Sequence, residues 1–155
     1  MTDNLRESIQ DSRYHLLVVE DSDTDFAVFS RFLQKLSFHN PVYRCYDGDD
    51  ALDYLYHRGK YQNFSIFSRP SLILLDLNLP GTDGKEVLTE IKKNDFLKTI
   101  PVIIFTTSSN PDDIQTCYQK GANTYIIKPM DLNKMKIMIQ SLLEYWFYVS
   151  ILPSH

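Results

Sequence analysis

The chain has 155 residues, of which 43% are hydrophobic and 23% charged, and this mix predicts one soluble globular domain rather than a disordered chain. The net charge of −4 gives the molecule as a whole no electrostatic reason to bind nucleic acid or an anionic membrane. The polar N-terminus lacks the apolar core of a signal peptide. Cys45 and Cys117 are too far apart in sequence to suggest a metal-ligand cluster. We therefore predict a cytoplasmic protein with both cysteines reduced.

Five short apolar runs follow one another along the chain, each bounded by polar or turn residues. Apolar runs without polar alternation are typical of strands that are buried on both faces of a sheet. The runs comprise residues 16–19, 42–46, 71–76, 102–105 and 125–127.

A helical pattern of apolar residues follows each run. We predict Ser22 as the N-cap of the first helix and Gly59 as the end of the second. Asn110 and Pro111 begin the fourth helix, because Asn favours the N-cap and Pro the first helical position. The stripes that define the first, third and last helices are Phe26, Phe29, Leu33 and Leu36; Val87, Leu88 and Ile91; and Leu132, Met135, Ile139, Leu142 and Trp146.

Strands that alternate with helices predict an α/β fold, with a parallel sheet covered by helices on both faces. The functional crevice of such a sheet lies outside the carboxyl ends of its strands. Glu20 and Asp21 follow the first strand, Asp76 ends the third, Thr106 the fourth and Lys128 the fifth. We therefore expect three acids, a hydroxyl and an ammonium to meet at one edge.

The chemistry of this set can be argued from the residue types. Neighbouring carboxylates repel one another, and a divalent cation such as Mg2+, which prefers oxygen ligands, removes that cost. A carboxylate can also attack phosphorus and form an acyl phosphate. Lys128 and Thr106 would then stabilise the charge on the phosphoryl oxygens.

Four motifs resemble the receiver domain of two-component response regulators, and the resemblance extends from Tyr14 to Trp146. It implies a flavodoxin-like (βα)5 fold with strand order 2-1-3-4-5. We accordingly divide the chain into a flexible N-terminal segment (1–13), a receiver domain (14–149) and a C-terminal tail (150–155). The motifs are Val-Val-Glu-Asp-Ser at 18–22, Leu-Asp-Leu-Asn-Leu-Pro-Gly-Thr-Asp-Gly at 75–84, Pro-Val-Ile-Ile-Phe-Thr at 101–106, and Gly-Ala-Asn-Thr-Tyr-Ile-Ile-Lys-Pro at 121–129.

Carried over by position, the resemblance implies that Asp76 is the phosphoacceptor. Glu20 and Asp21 are then the acidic pair around Mg2+, and the backbone carbonyl of Asn78 completes the protein ligands together with Asp76. The resemblance further implies the remaining roles: Thr106 as the switch hydroxyl, Tyr125 as the switch aromatic, Lys128 as the lysine that assists phosphorylation, and a cis Lys128–Pro129 bond.

Two features resemble the small single-domain regulators that pair with cyanobacterial phytochromes. They are the insertion Arg58–Pro70 and the hydroxyl-rich run 106–109, and the aromatic C-terminus is similar too. The resemblance implies phosphorylation by a sensor histidine kinase, here a phytochrome. Because no DNA-binding domain follows, the output is expected to be binding of a downstream protein or phosphotransfer partner.

Several of these residues also have simpler interpretations. Asp76 alone could cap its strand, Glu20 and Asp21 could complement a helix dipole, and Tyr125 could be a core residue. In the tail, Tyr145, Trp146 and Phe147 belong to a segment that is apolar around its whole circumference, which favours a homodimer or partner interface. The alternative is a tail that folds back on its own domain.

Two other functions compete with the switch. An Asp-nucleophile phosphohydrolase usually needs a second Asp two residues after its nucleophile, but that position holds Asn78, which cannot transfer protons. We therefore predict that the protein is not an enzyme beyond its own phosphorylation and dephosphorylation. A phosphorylation-independent interaction module is disfavoured because such a module has no use for clustered like charges.

Overall fold

The computed structural model describes residues 14–62 and 69–153 of the chain. Within them, five parallel strands form one sheet in the order β2-β1-β3-β4-β5, which confirms the predicted fold and strand order. The predicted N-terminal segment and the middle of the predicted insertion lie outside the described residues. The strands are β1 (Leu16–Val19), β2 (Val42–Cys45), β3 (Leu72–Leu75), β4 (Val102–Thr106) and β5 (Thr124–Ile127).

A helix follows each strand, and the predicted N-caps Ser22 and Asn110 are confirmed. Side chains of Ser22, Asn110 and Asp131 each accept a backbone N–H from the first turn of their helix. No helix in the described part of the chain combines the length and the hydropathy that a bilayer crossing requires. The helices are α1 (Asp23–Lys35), α2 (Gly48–Tyr56), α3 (Gly84–Lys93), α4 (Pro111–Gln119) and α5 (Leu132–Leu143), with a 3₁₀ turn at Gly59–Tyr61 and a π-helical segment at Glu144–Val149.

Two predictions about helix ends and faces are wrong. Helix α2 ends before Gly59, because His57 already adopts the left-handed conformation (φ 54°) and its N–H bonds back to the last helical carbonyls. Leu132, predicted in the buried stripe of α5, is 61% exposed, because the buried face of this helix begins further along, at Ile139.

Apolar side chains fill both faces of the sheet, which explains why the strands show no polar alternation. In β1, Leu17 and Val19 point into one core and Leu16 and Val18 into the other. The first core is closed by α2, α3 and α4, and the second by α1 and α5. Cys45 and Cys117 are buried free thiols in the first core.

The C-terminal segment divides between core and surface. Phe147 is 4% exposed and packs edge-on against Phe38 with ring centroids 5.0 Å apart, and it belongs to the second core. The predicted interface is therefore wrong for Phe147, because the segment folds back on its own domain at this residue. Tyr145, in contrast, is 52% exposed, and Ile151 is 95% exposed.

Candidate functional site

Three carboxylates meet at the carboxyl edge of the sheet. Glu20 and Asp21 lie between β1 and α1, and Asp76 directly follows β3, which is the neighbour of β1 in the sheet. Oxygen atoms from the three side chains all lie within 4.8 Å of one another. Glu20 and Asp76 are buried, whereas Asp21 is exposed. The convergence expected from the strand ends is therefore present.

Lys128, which directly follows β5, brings the compensating positive charge. Its ammonium donates to Glu20 Oε2 at 2.5 Å and to Asp76 Oδ2 at 2.9 Å. Its third contact, at 2.9 Å, is Asp25 Oδ2 on the first turn of α1. Burial disfavours the ammonium, but hydrogen bonds to Glu20 and Asp25 and the charge of Asp76 outweigh it and raise the pKa of Lys128. Lysine therefore remains charged, and its three N–H bonds are all used.

Asp25 was missed by the sequence analysis. At the third position of α1 it has the spacing of an ordinary first-turn acid, and its backbone N–H donates to Ser22 Oγ. Only the packing of α1 beside the segment after β5 brings its carboxylate to Lys128.

The Lys128–Pro129 peptide bond is trans, so the expected cis bond is wrong for this structure. Trans is the form that an X–Pro bond prefers by about 0.5–1 kcal/mol when the surrounding contacts do not select cis.

Glu20 is held from two sides. Its Oε1 accepts the Ser22 N–H at 3.0 Å, while its Oε2 accepts from Lys128. Burial raises the pKa of Glu20 to about 7, and the hydrogen bond from Lys128 opposes that rise. Both oxygens of this carboxylate are therefore already engaged in the resting structure.

Asp76 is fixed by its own backbone surroundings. Its Oδ1 accepts the Asn78 N–H at 3.3 Å. Helix α3 begins directly against it: a Cβ atom added to Gly84 would lie 2.2 Å from the Asp76 carbonyl oxygen. Only glycine allows this approach, so the sequence Asp83-Gly84 permits α3 to begin beside the carboxylate.

Thr106 and Tyr125 are joined through Ser108, in the loop between β4 and α4. Thr106 is fully buried, and its Oγ1 accepts the Ser108 N–H at 3.4 Å. The Tyr125 hydroxyl donates to the Ser108 carbonyl at 2.9 Å. Tyr125 is half-buried and packs against the first core, so it is both a core residue and a hydrogen-bonding contact of this loop.

Two charged residues extend this loop network and were also missed from the sequence. The Ser108 hydroxyl donates to Asp113 Oδ2 at 2.6 Å, and Asp113 forms an ion pair with Lys85 of α3. Hydrogen bonds from Lys85 and Ser108 lower the pKa of Asp113. We call Lys85, Ser108, Asp113 and Tyr125 the loop latch. It ties the β4–α4 loop to α3, α4 and β5.

The acidic cluster fits a divalent cation. Its donors are all oxygen, they lie close together, and their three negative charges exceed the single positive charge of Lys128 that bonds to Glu20 and Asp76. That combination suits Mg2+ or Mn2+ better than a soft metal. Asn78, whose carbonyl was predicted as a further ligand, is exposed beside Asp76.

A cavity of about 250 Å³ opens beside this site, between α1 and α5. Its polar end is formed by Glu20, Asp25 and Lys128, and Phe26 and Met135 contribute to its apolar wall. Met130, also at the cavity, is fully exposed.

Comparison with known proteins decides the family. Residues 16–140 match the family model for the response regulator receiver domain. This chain belongs to that family. It is 40% identical to the response regulator Rcp1 of Synechocystis sp. over 139 residues, which cover 90% of this chain and 92% of Rcp1.

Solved structures of receiver domains show the same likeness. The Mn2+-bound form of Rcp1 has a TM-score of 0.84 at 39% identity, over 91% of this chain and 99% of Rcp1. The phosphorylated cyanobacterial phytochrome response regulator RcpA has a TM-score of 0.85 at 40% identity, with the same coverage.

Proposed function

We propose that this receiver domain is a Mg2+-dependent phosphorylation switch in which Asp76 accepts a phosphoryl group from a sensor histidine kinase. The observation that carries the proposal is the meeting of Glu20, Asp21 and Asp76 with the buried ammonium of Lys128. A structural role alone does not account for three acids that share one cation, because their repulsion costs stability.

The reaction follows from the positions of these residues. A carboxylate oxygen of Asp76 attacks phosphorus, a new O–P bond forms, and the bond from phosphorus to the donor histidine nitrogen breaks. Glu20, Asp21, Asp76 and the Asn78 carbonyl would hold Mg2+, which supplies charge neutralisation for the phosphoryl oxygens. Lys128 exchanges its bond with Asp76 for one with a phosphoryl oxygen, and the Thr106 hydroxyl donates to another.

The phosphorylated form serves as a signal rather than as an intermediate in turnover. The residue two positions after Asp76 is Asn78, whose amide cannot act as a general acid or base for an external substrate. Asn78 therefore provides no base for hydrolysis of the acyl phosphate by water. We therefore propose no enzymatic activity beyond the protein's own phosphorylation and dephosphorylation.

We infer that the kinase is a phytochrome-type sensor. The support is the similarity, at 40% identity, to a regulator described as a phytochrome response regulator. The cavity between α1 and α5 borders Lys128 and has an apolar wall, which suits the docking of a helical kinase segment beside the phosphoacceptor. Downstream signalling would proceed by binding of a protein or phosphotransfer partner in the cytoplasm.

We also propose that the protein forms homodimers through the exposed part of its C-terminal segment. Tyr145 and Trp146 form an edge-to-face pair with ring centroids 5.1 Å apart, and Tyr145, Val149 and Ile151 are exposed. Exposed apolar side chains grouped in one segment are typical of an interface. Gel filtration should show a dimer for the unmodified chain and a shift toward monomer for Tyr145→Ala, because Tyr145 is 52% exposed. Monomeric elution of both would contradict the proposal.

Intact mass spectrometry tests phosphorylation. The protein is incubated with acetyl phosphate and Mg2+, and one phosphate adduct is expected on the unmodified chain and none on Asp76→Asn. Asp112→Asn, an exposed acid in α4, is the matched control and should be phosphorylated normally. Absence of an adduct on the unmodified chain would refute the switch. Sustained release of p-nitrophenol from p-nitrophenyl phosphate would instead indicate a phosphohydrolase.

A further inference from the structure

Arg44 lies on β2 beside the loop that carries Glu20 and Asp21. Its side chain is only 10% exposed, although β2 is at the edge of the sheet. The guanidinium carbon is 4.7 Å from the ring centroid of Phe26 and 4.2 Å from that of Tyr46. A planar guanidinium close to two rings gains cation–π attraction from each of them, and lysine, which lacks this planar group, does not reproduce both contacts.

The polar contacts of Arg44 are directed at the loop. Its Nε donates to the Glu20 backbone carbonyl at 3.0 Å, and its Nη1 pairs with Asp23 Oδ1 at 2.8 Å. In addition, the Glu20 N–H donates to the Cys45 carbonyl at 3.0 Å. Strand β2 therefore holds both backbone groups of Glu20. The Glu20 N–H donates to the strand backbone, and the Glu20 C=O accepts from the Arg44 side chain.

From this geometry we infer that Arg44 is a positioning residue for the divalent cation site. It fixes the peptide between Glu20 and Asp21, and thereby the direction in which the exposed Asp21 carboxylate leaves the backbone. It bonds to the Glu20 backbone rather than to a carboxylate of the site, since its Nε donates to the Glu20 carbonyl and its Nη1 pairs with Asp23. The inference rests on the proposed cation site.

An ordinary surface ion pair would not explain this arrangement. Asp23 is 88% exposed at its side chain, so its pairing with Arg44 contributes little to stability. The bond to the Glu20 carbonyl is different, because it acts on the segment that holds two acids of the site. Outer contacts that orient metal ligands typically change metal affinity by about 10–100-fold when they are removed.

Arg44→Lys separates position from charge, since lysine keeps the positive charge but lacks the planar fork and the Nε donor. Binding of Mn2+ is measured by the loss of the free Mn2+ signal in electron paramagnetic resonance. We expect Arg44→Lys to bind Mn2+ about tenfold more weakly than the unmodified chain. Arg31→Lys, at an exposed position of α1, should leave the affinity unchanged.

Phosphorylation by acetyl phosphate gives a second measurement. The Mg2+ concentration for half-maximal rate should rise by the same factor in Arg44→Lys, while the rate at saturating Mg2+ stays that of the unmodified chain. If Arg44→Lys bound Mn2+ as tightly as the unmodified chain does, the inference would be overturned, even if the variant were less stable to unfolding. Absence of Mn2+ binding by the unmodified chain would instead refute the proposed cation site, and the inference with it.

A second variant keeps the test decisive if Arg44→Lys does not fold. Tyr46 is 53% exposed, so Tyr46→Leu removes one of the two stacking rings with little loss of core packing. Loosening Arg44 in this way should weaken Mn2+ binding measurably but by no more than about threefold, because the energy of one exposed cation–π contact sets the upper limit. An unchanged affinity in Tyr46→Leu would equally overturn the inference.

Discussion

Asp21→Asn should make the metal-free protein more stable. Asp21 has a carboxylate oxygen within 4.8 Å of oxygens of both Glu20 and Asp76, while the Lys128 ammonium bonds to those two acids and to Asp25. At 4.8 Å, one repulsion between unit charges is worth about 1 kcal/mol in water and about 3 kcal/mol at an effective dielectric constant of 20. Asp21 is exposed, so the lower value is the better guide.

Asn at position 21 has the same shape but no charge, so the repulsions of Asp21 with Glu20 and with Asp76 are removed. The long-range attraction between Lys128 and Asp21 is lost as well. We therefore expect a net gain of about 1–2 kcal/mol in the free energy of unfolding without metal. The measurement is urea denaturation followed by the fluorescence of Trp146, with EDTA present, at about pH 8.5, where Glu20 with its pKa of about 7 is charged as well. The same titration with saturating Mg2+ should reverse the order of stability. A cation at about 100 times its Kd stabilises the unmodified chain by about 2.7 kcal/mol, and loss of one ligand removes most of that effect.

Asp112→Asn is the control, because Asp112 is an exposed acid outside the cluster. Its response to Mg2+ should equal that of the unmodified chain. The reasoning would be refuted if Asp21→Asn were no more stable than the unmodified chain in EDTA, or if Mg2+ stabilised both equally.

Three further substitutions have defined outcomes. Asp113→Asn should lower the free energy of unfolding by about 1 kcal/mol at neutral pH, because it removes the ion pair and weakens the Ser108 hydrogen bond of the loop latch. The pKa of Asp113 is lower in the folded state than in the unfolded state, where it is 3.8. The stabilisation by Asp113 is therefore complete above pH 3.8 and is lost as the pH falls through the pKa of the folded state. Melting curves from neutral pH to about pH 3 test this. Phe147→Ala should cost about 3–5 kcal/mol in urea denaturation, because a buried ring is lost. Gly84→Ala should cost at least about 2 kcal/mol and slow phosphorylation, because the new methyl group displaces the Asp76 backbone.

Each of these has a matched control and a contradicting result. Asp112→Asn is again the control for Asp113→Asn, and a stability difference that persists unchanged at low pH would contradict the ionic origin of the latch. Ile137→Ala, at a residue of α5 that is 65% exposed, should cost less than about 0.5 kcal/mol; an equal cost for Phe147→Ala would contradict the burial of that ring. Glu86→Ala places alanine at an exposed position of α3, and normal phosphorylation of Gly84→Ala would contradict the close packing on Asp76.

The sheet and the acid cluster could be predicted because their signals are local in the sequence. A run such as Leu72–Leu75 has no polar alternation, so it must be buried on both faces, and the acid that follows it must lie at the carboxyl edge. Parallel strands then bring Glu20 and Asp76 together, because β1 and β3 are neighbours in register.

The contact between Asp25 and Lys128 could not be predicted in the same way. The two residues are 103 positions apart, and their meeting depends on where the first turn of α1 lies relative to the segment after β5. The ion pair of Lys85 with Asp113 similarly depends on how α3 and α4 pack. Propensities and periodicity contain no information on these separations.

The burial of the C-terminal side chains could only partly be predicted, because the helix changes its winding there. From Glu144 to Val149 the backbone is π-helical, and the Ser150 N–H bonds to the Tyr145 carbonyl five residues earlier. A π turn rotates each residue less than an α turn does. Residues spaced as in an α-helix therefore do not share one face in this segment, and α-helical spacing does not identify which side chains pack in the core. Phe147 is buried, whereas Val149 is exposed.

Thr106 contacts both Lys128 and Ser108 of the loop latch, so the phosphorylation proposed for Asp76 would be transmitted through this residue. The Thr106 carbonyl accepts the Lys128 N–H at 2.7 Å, and its hydroxyl accepts the Ser108 N–H. A hydroxyl drawn toward a phosphoryl oxygen loses the Ser108 contact and pulls on a loop that Tyr125 and Asp113 hold. These three hydrogen bonds contribute about 1 kcal/mol each, so about 2–3 kcal/mol maintain the resting loop. That energy leaves only about 1–3% of molecules in the shifted conformation. Charge-assisted contacts of the phosphoryl group, at about 1.5–3 kcal/mol each, are sufficient to reverse this balance.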